Sequence, residues 1–443
     1  YEGVQTFMWM TEDNIVEVAF DKEHLFELIL SPSNLNKAYK AVSGNKGCGG
    51  IDKMSWEELF PWLLANKDEF IISLQNGTYR PNPVRRVEIP KANGKTRLLG
   101  IPTVVDRLVQ QAIHQVLTPI YERQFSMTSY GFRPKRGCHD ALRRAQKIVD
   151  EGYRYVVDLD LERFFDTVSH SKLIEILSHT IKDGRVVSLI HKYLRSGVMN
   201  RGLFETSTEG TPQGGPLSPL LSNIMLNELD KELESRGHPF VRYADDALIF
   251  CKSKRAAQRV KESITRFIEG QLFLKVNREK TVVSYVQGVK FLGYSFYVMK
   301  GKCLLTVHPQ SKSKMKFKLK ELTSRSNGWG YECRKQKLRK YIRGWLGYYH
   351  LAQIKRLCLE TDEWLRRRIR MCIWKSWKNP KTRVANLKKC GVLDWQAYQW
   401  GNTRLGYWRV ALSRLLTFAM SNDKLRRAGY ASLMDYYLEW YPK

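Results

Sequence analysis

Long apolar runs and acidic side chains are both scarce in this 443-residue chain. No stretch of eighteen or more apolar residues occurs, so no transmembrane helix is expected. The opening YEGVQTFMWMTEDNIVEV lacks the basic-then-apolar order of a signal peptide and carries acids early. The eight cysteines include no CxxC pair, which argues against both a disulfide framework and a zinc site. A reducing, cytoplasmic setting is therefore expected. There is no low-complexity linker and no fixed-period repeat. Acids total 44 against 74 Lys plus Arg, leaving a net charge of +30. A chain this basic repels itself unless an anionic partner neutralises it. Nucleic acid supplies that charge most densely. An anionic membrane would require an amphipathic anchor, and none is evident.

The excess charge is unevenly placed. Residues 308–443 hold 31 basic and 9 acidic side chains, a net of +22, against 43 and 35, or +8, in the first 307. A domain boundary near residue 308 is the expectation. Hydrophobic residues make up 43% of the chain, an ordinary globular balance.

Local patterns predict a mixed architecture. Residues 22–42 read as two short helices broken at Ser31-Pro32. VRRVEIPK and TRLLGIP flank Asn93-Gly94, a hairpin signal. Residues 105–117 and 171–195 read as helical, and YRYVVDLDLERFFD as a buried strand running into a turn. GTPQGGPLSP leads into a long helix, and PFVRYADDALIF reads as strand, tight turn, strand. The basic remainder interleaves cations with aromatics at helical spacing. The fold class is α+β followed by an all-helical domain. Residues 1–21 resist assignment.

Asp245 and Asp246 stand at the tip of an apolar hairpin. Two carboxylates about 4 Å apart repel by about 4 kcal/mol at an effective dielectric of roughly 20. A polar turn could account for them, since Asp is common in turns. A divalent cation between them would also stabilise the pair. A third acid lies on the other acidic strand, either Asp158 or Asp160. Strand alternation puts both on one face, so periodicity does not choose between them. Three acids from two strands suit two-metal phosphoryl transfer.

RYADDALIF (242–250) resembles the catalytic hairpin of reverse transcriptases. IPKANGKTRLLGIPTVVDRLVQQAI, SYGFRPKRGCHDAL, DLDLERFFDTVSH, GTPQGGPLSPLLSNIMLNELD, RYADD, LKVNREKT and VKFLGYSF follow the order of group II intron reverse transcriptases, also called maturases. The resemblance runs from about residue 22 to the C-terminus and implies a right-hand polymerase. Fingers (61–155) would follow an N-terminal extension (22–60). A palm with an antiparallel sheet (156–307) and a helical thumb and maturase domain (308–443) would complete it. The implied activity is RNA-directed DNA polymerisation with two Mg2+ ions held by Asp160, Asp245 and Asp246. Lys91, Arg97, Gln213 and Lys280 match positions around the incoming dNTP. One of Phe164 and Phe165 would exclude a 2′-hydroxyl. Phe291, Leu292, Gly293 and Tyr294 match the primer grip. Arg343, Arg366, Arg367, Arg368, Arg370, Lys375 and Lys378 are candidate RNA contacts, while Trp345, Trp374 and Trp377 are expected in the core.

The family resemblance implies group II intron RNA, an RNA template with a DNA primer, dNTPs and target DNA as partners, in a bacterial cytoplasmic ribonucleoprotein. The protein would copy intron RNA into cDNA for retrohoming and assist its self-splicing. Without endonuclease cysteine pairs, the sequence is most similar to the endonuclease-less, group IIC-like type. An RNA-binding splicing factor, or a relative repurposed for repair or defence, is the alternative.

Overall fold

A computed structural model describes residues 4–11, 14–21, 23–90, 94, 96–200, 202–211 and 214–440. The chain divides into two compact units, 1–285 and 286–443.

The first unit opens with an antiparallel strand pair, β1 (Val4–Thr11) and β2 (Asn14–Asp21). Two helices follow, α1 (Leu25–Leu30) and α2 (Pro32–Gly44), broken at Ser31 as the Ser-Pro step predicts. After α3 (Leu59–Gln75) come β3 (Val84–Pro90) and β4 (Thr96–Ile101), paired antiparallel from Arg85↔Ile101 to Pro90↔Thr96. The predicted hairpin is present, with Asn93 of its tip outside the described residues.

The long α4 (Val104–Glu122) starts at Thr103, whose side chain accepts from the Asp106 amide. Next come α5 (Cys138–Asp150), β5 (Tyr155–Leu159), the single turn α6 (Phe164–Thr167), α7 (His170–Thr180) and α8 (Gly184–Arg195). The sequence reads 171–195 as one helical stretch, but the chain breaks it. Asp183 caps α8 through the Arg185 amide and also accepts from the Phe26 amide at 2.9 Å. That second bond ties the break to α1.

Short strands β6 (Val198–Asn200) and β7 (Leu203–Glu205) complete a β4-β3-β6-β7 sheet. Then come α9 (Ser218–Ser235), β8 (Phe240–Tyr243), β9 (Asp246–Cys251), α10 (Lys254–Gln271) and β10 (Val282–Tyr285). β5, β8, β9 and β10 form a second sheet in the order β10-β5-β9-β8. Its apolar face, α4 and the buried α9 share one core cluster, including Leu108, Ile113, Val157, Leu159, Ile224, Leu229, Ala247 and Ile249. Burial of this kind fixes register, because a one-residue slip would send the apolar set to solvent.

The second unit begins with the sheet β11 (Lys290–Phe291), β12 (Tyr294–Met299) and β13 (Lys302–Val307). Helices follow: α11 (Pro309–Leu322), α12 (Tyr331–Tyr349), α13 (Lys355–Ser376) and α14 (Pro380–Lys389). The shorter α15 (Asp394–Gly401), α16 (Tyr407–Val410), α17 (Arg414–Ala419), α18 (Asn422–Arg427) and α19 (Leu433–Trp440) end the chain. Packing thus divides the molecule at residue 285, ahead of the boundary expected near 308. The β11–β13 sheet folds with the basic helices and shares their charge, with Lys290, Lys300 and Lys302 and no acid. Among the described residues no helix is long and apolar enough to cross a membrane.

Candidate active site

β5 and β9 run antiparallel, with Asp158 opposite Leu248 and Leu159 opposite Ala247. Continuing that register by one residue sets Asp160 opposite Asp246. Asp158 shares the face of Asp160 but lies two residues back, between Leu248 of β9 and Val282 of β10. The backbone therefore separates the two acids that alternation leaves equivalent: Asp160 reaches the sheet's end and Asp158 does not.

β8 and β9 close on each other at Tyr243↔Asp246, so Ala244 and Asp245 form a two-residue turn. Ala244 has φ +58°, a left-handed conformation that costs an alanine about 1–2 kcal/mol. The surroundings hold it there. A Cβ on Gly131 would lie 2.2 Å from the Ala244 nitrogen, so only glycine lets the 128–131 segment pass under the turn. That segment lies along β8: the Tyr130 amide donates to Arg242 O at 2.9 Å, and the Arg242 amide to Thr128 O at 3.0 Å. The Arg242 side chain is buried. It donates to both carboxylate oxygens of Asp230 on α9, at 2.7 and 2.5 Å, and to Asn223 Oδ1 and Ala244 O, each at 3.0 Å. The arginine just ahead of the acids thus fixes the carbonyl of the turn that presents them. The sequence shows Arg242 as part of the RYADD motif without revealing that role. Burial also raises the Tyr243 phenol above its ordinary pKa.

Asp160 is held through its backbone and its side chain. Its amide donates to Thr281 Oγ1 and its carbonyl accepts from the same hydroxyl, both at 3.2 Å. Lys280 Nζ donates to both carboxylate oxygens of Asp160 at 3.2 Å. Lys280, expected near the triphosphate, here neutralises a carboxylate. Among the described residues no three acidic, His or Cys side chains are already gathered as a metal cage. The donor set nevertheless suits magnesium, a hard cation that takes carboxylate oxygens and keeps other positions for phosphate and water.

Arg163 takes φ +47° where β5 gives way to α6. Phe164 and Phe165 then meet edge to face, with centroids 5.2 Å apart. Both are buried, but only Phe165 lines a cavity of about 220 Å³, with Arg86, Leu98, Arg163, Gly210 and Thr211. The Thr211 amide donates to Phe165 O at 2.6 Å, and a Cβ on Gly210 would fall 2.9 Å from that same oxygen. Arg86 and Arg163 are cations of this cavity that motif reading passes over. Arg86 has only the alternation along VRRVEIPK as a signal in the sequence, and Arg163 has none.

Arg97 lies exposed on β4, opposite Ile89. Lys91 and Gln213 lie outside the described residues. Beside Gln213, Gly214 has φ +132°, and a Cβ there would lie 2.6 Å from Gly100 O. A Cβ on Gly215 would lie 2.2 Å from Gln110 Oε1. The two glycines let this loop press against β4 and α4.

In the second unit, Leu292 and Gly293 form the turn between β11 and β12, both with positive φ. Phe291 and Tyr294 are buried, so the backbone of the turn is what this hairpin presents. Tyr348 Oη donates to Leu292 O at 2.8 Å and Ser311 Oγ to Gly293 O at 2.9 Å.

The candidate RNA-binding cations separate into two groups. Arg366 and Arg370 are buried and donate to Asn422 O and Met420 O. Arg367 donates to Trp408 O, Arg368 to Lys320 O and Thr323 O, and Lys375 to Arg325 O. These five are spent on carbonyls within the unit, several at helix C-termini where cations complement the dipole. Arg343 and Lys378 are exposed. Trp345, Trp374 and Trp377 are core residues, as expected.

Comparison with known proteins identifies the family. The family model for reverse transcriptase (RNA-dependent DNA polymerase) matches residues 89–296, and that for the group II intron maturase-specific domain matches 312–391. Protein YkfC of Escherichia coli K12 is 36% identical over 313 residues, 61% of this chain and 82% of the relative. The group II intron-encoded protein LtrA of Lactococcus lactis is 33% identical over 355 residues, 65% of this chain. The chain spans 58% of LtrA's length. A 91 kDa protein in the cob intron of Schizosaccharomyces pombe is 40% identical over 229 residues, covering 50% of this chain and 27% of that protein. An acid-tipped hairpin facing a third carboxylate, joined in one chain to a maturase-specific domain, places this protein in the group II intron family of reverse transcriptases.

Proposed function

We propose that the chain extends a DNA primer on an RNA template by two-metal nucleotidyl transfer, and that it binds group II intron RNA to assist splicing and retrohoming. The observation that supports the reading is the register of β5 on β9, whose last pair, Leu159↔Ala247, leaves Asp160 and Asp246 as the next residues of the two strands. In the reaction the primer 3′-hydroxyl attacks the α-phosphate of a dNTP, and pyrophosphate leaves. Asp160, Asp245 and Asp246 would hold Mg2+, which when bound would supply positive charge to offset the charge that develops in phosphoryl transfer.

The remaining residues position the reactants. Arg97 and Lys91 neutralise the triphosphate, and Gln213 borders the sugar. Phe165 is the residue that excludes a 2′-hydroxyl. Its place in the cavity wall, which Phe164 does not share, supports that choice. Lys280 shields Asp160 in the free protein and is near enough to meet phosphate oxygens when substrate displaces it. The first unit would supply fingers and palm, and the basic helices thumb and maturase surface. Intron RNA, template-primer and target DNA are the proposed partners, in a cytoplasmic ribonucleoprotein.

Primer extension on an RNA template with magnesium and dNTPs tests the reading. Wild type is expected to extend, and Asp245→Asn/Asp246→Asn to lose extension while keeping RNA affinity. Tight, salt-sensitive RNA binding without extension by wild type would leave a splicing factor alone. Extension by the double variant would mean the carboxylates are wrongly assigned.

A further inference from the structure

The 207–211 segment walls more than the Phe165 cavity. Glu209 also lines a second cavity of the first unit, about 660 Å³ in volume. That is the scale of a ligand site. His191 and Arg195 enter it from the last turns of α8, and Lys275 from the segment after α10. Among the described residues, the side chains of Arg195 and Lys275 have no hydrogen-bond or ion-pair partner. Glu209 is the one carboxylate of the lining. The wall is held in place: His170 Nε2–H donates to Gly210 O at 2.7 Å, and the Gly210 amide to Val168 O at 2.8 Å.

Phe273 makes this cleft more than a charged dent. Its side chain is 61% exposed and its φ is +55°. A left-handed phenylalanine costs about 1–2 kcal/mol, and exposing the ring forfeits its burial as well. Leu272 and Leu274 on either side are both buried and hold the backbone there. The ring is thereby kept on the cavity lining beside unpartnered cations. An aromatic face next to cations is how single strands are bound without sequence preference, with the base stacked and the phosphate neutralised.

We propose that this cavity is a second nucleic-acid subsite, distinct from the polymerase centre. It takes one nucleoside-phosphate unit of a single strand, with the base stacked on Phe273 and the phosphate held by Arg195 and Lys275. The proposal rests on the polymerase reading in that a strand must pass within reach of the Phe165 cavity. The site itself needs no catalysis to be filled.

The test is photo-crosslinking of the full chain to a short oligouridine carrying 4-thiouridine, with the attachment mapped by mass spectrometry. A crosslink at Phe273 is expected, and the excess of unlabelled oligouridine should compete it away. In Arg195→Gln/Lys275→Gln the yield should fall about tenfold, with the melting temperature unchanged. Crosslinks elsewhere in the chain but none at Phe273 would overturn the proposal, as would an undiminished yield in the double variant. Competition by uridine monophosphate as effective as that by oligouridine would overturn the strand in favour of a free nucleotide. Asp245→Asn/Asp246→Asn is run in parallel. A crosslink at Phe273 in a chain that cannot extend primers separates failure of the subsite from failure of the polymerase.

Discussion

Asp245 stands where it does because Ala244 is held in a left-handed turn, and Ala244 is held there because Gly131 leaves room beneath it and Arg242 grips its carbonyl. Asp230→Ala would leave the Arg242 guanidinium buried without its counter-charge, costing about 3–5 kcal/mol. Replacing both, as Asp230→Leu/Arg242→Met, should recover much of that stability. It should not recover primer extension, since the Ala244 carbonyl stays unheld. Urea denaturation and extension assays on the two variants check both halves. At the sugar, Phe165→Ala is expected to raise ribonucleotide incorporation relative to deoxyribonucleotide by roughly tenfold or more, in line with the worth of a packing contact to substrate. Phe164→Ala should instead lose about 3–5 kcal/mol of stability without changing sugar choice. Competition between rNTP and dNTP in single-nucleotide extension distinguishes them. A change of sugar choice in the Phe164 variant alone would reverse the assignment.

Among elements, α13 shows how a cationic pattern divides. Its RRRIR run looks like a nucleic-acid face, yet Arg366, Arg367, Arg368 and Arg370 reach carbonyls of neighbouring helices. Those of Lys320, Thr323, Trp408 and Met420 lie at helix C-terminal ends, which lack intrahelical partners, and a buried one costs free energy unless a donor arrives. Arg370→Ala is expected to cost about 1–3 kcal/mol and to weaken RNA binding only as far as the unit loosens. Arg343→Ala and Lys378→Ala should leave the melting temperature alone and each weaken RNA binding. If each contacts a phosphate, each also lowers the salt slope by about one. Thermal melts beside RNA titrations at several salt concentrations give both numbers for each variant.

Over the whole molecule, charge favours an anionic partner. The net +30 is concentrated in the basic helices. With six to ten phosphate contacts, RNA affinity should fall on the order of 10³-fold or more between 50 and 200 mM salt. A flat salt dependence would mean that the excess charge serves something other than a phosphate backbone.

The sequence by itself determined the excess of positive charge, the strand-turn-strand that carries two adjacent acids, and the motif order that names the family. Each is a local property, of composition, of period-two alternation, or of short ordered words. Tertiary structure decided what depends on residues far apart in the chain. The register of β5 on β9, spanning nearly ninety residues, pairs Asp158 with Leu248 inside the sheet and leaves Asp160 just past its last pair, Leu159↔Ala247. A place on the cavity wall separates Phe165 from Phe164, although both rings are buried. The need of distant carbonyls for donors turns Arg366 and Arg370 of α13 inward. No local pattern encodes such choices, because each is made by whichever element arrives opposite.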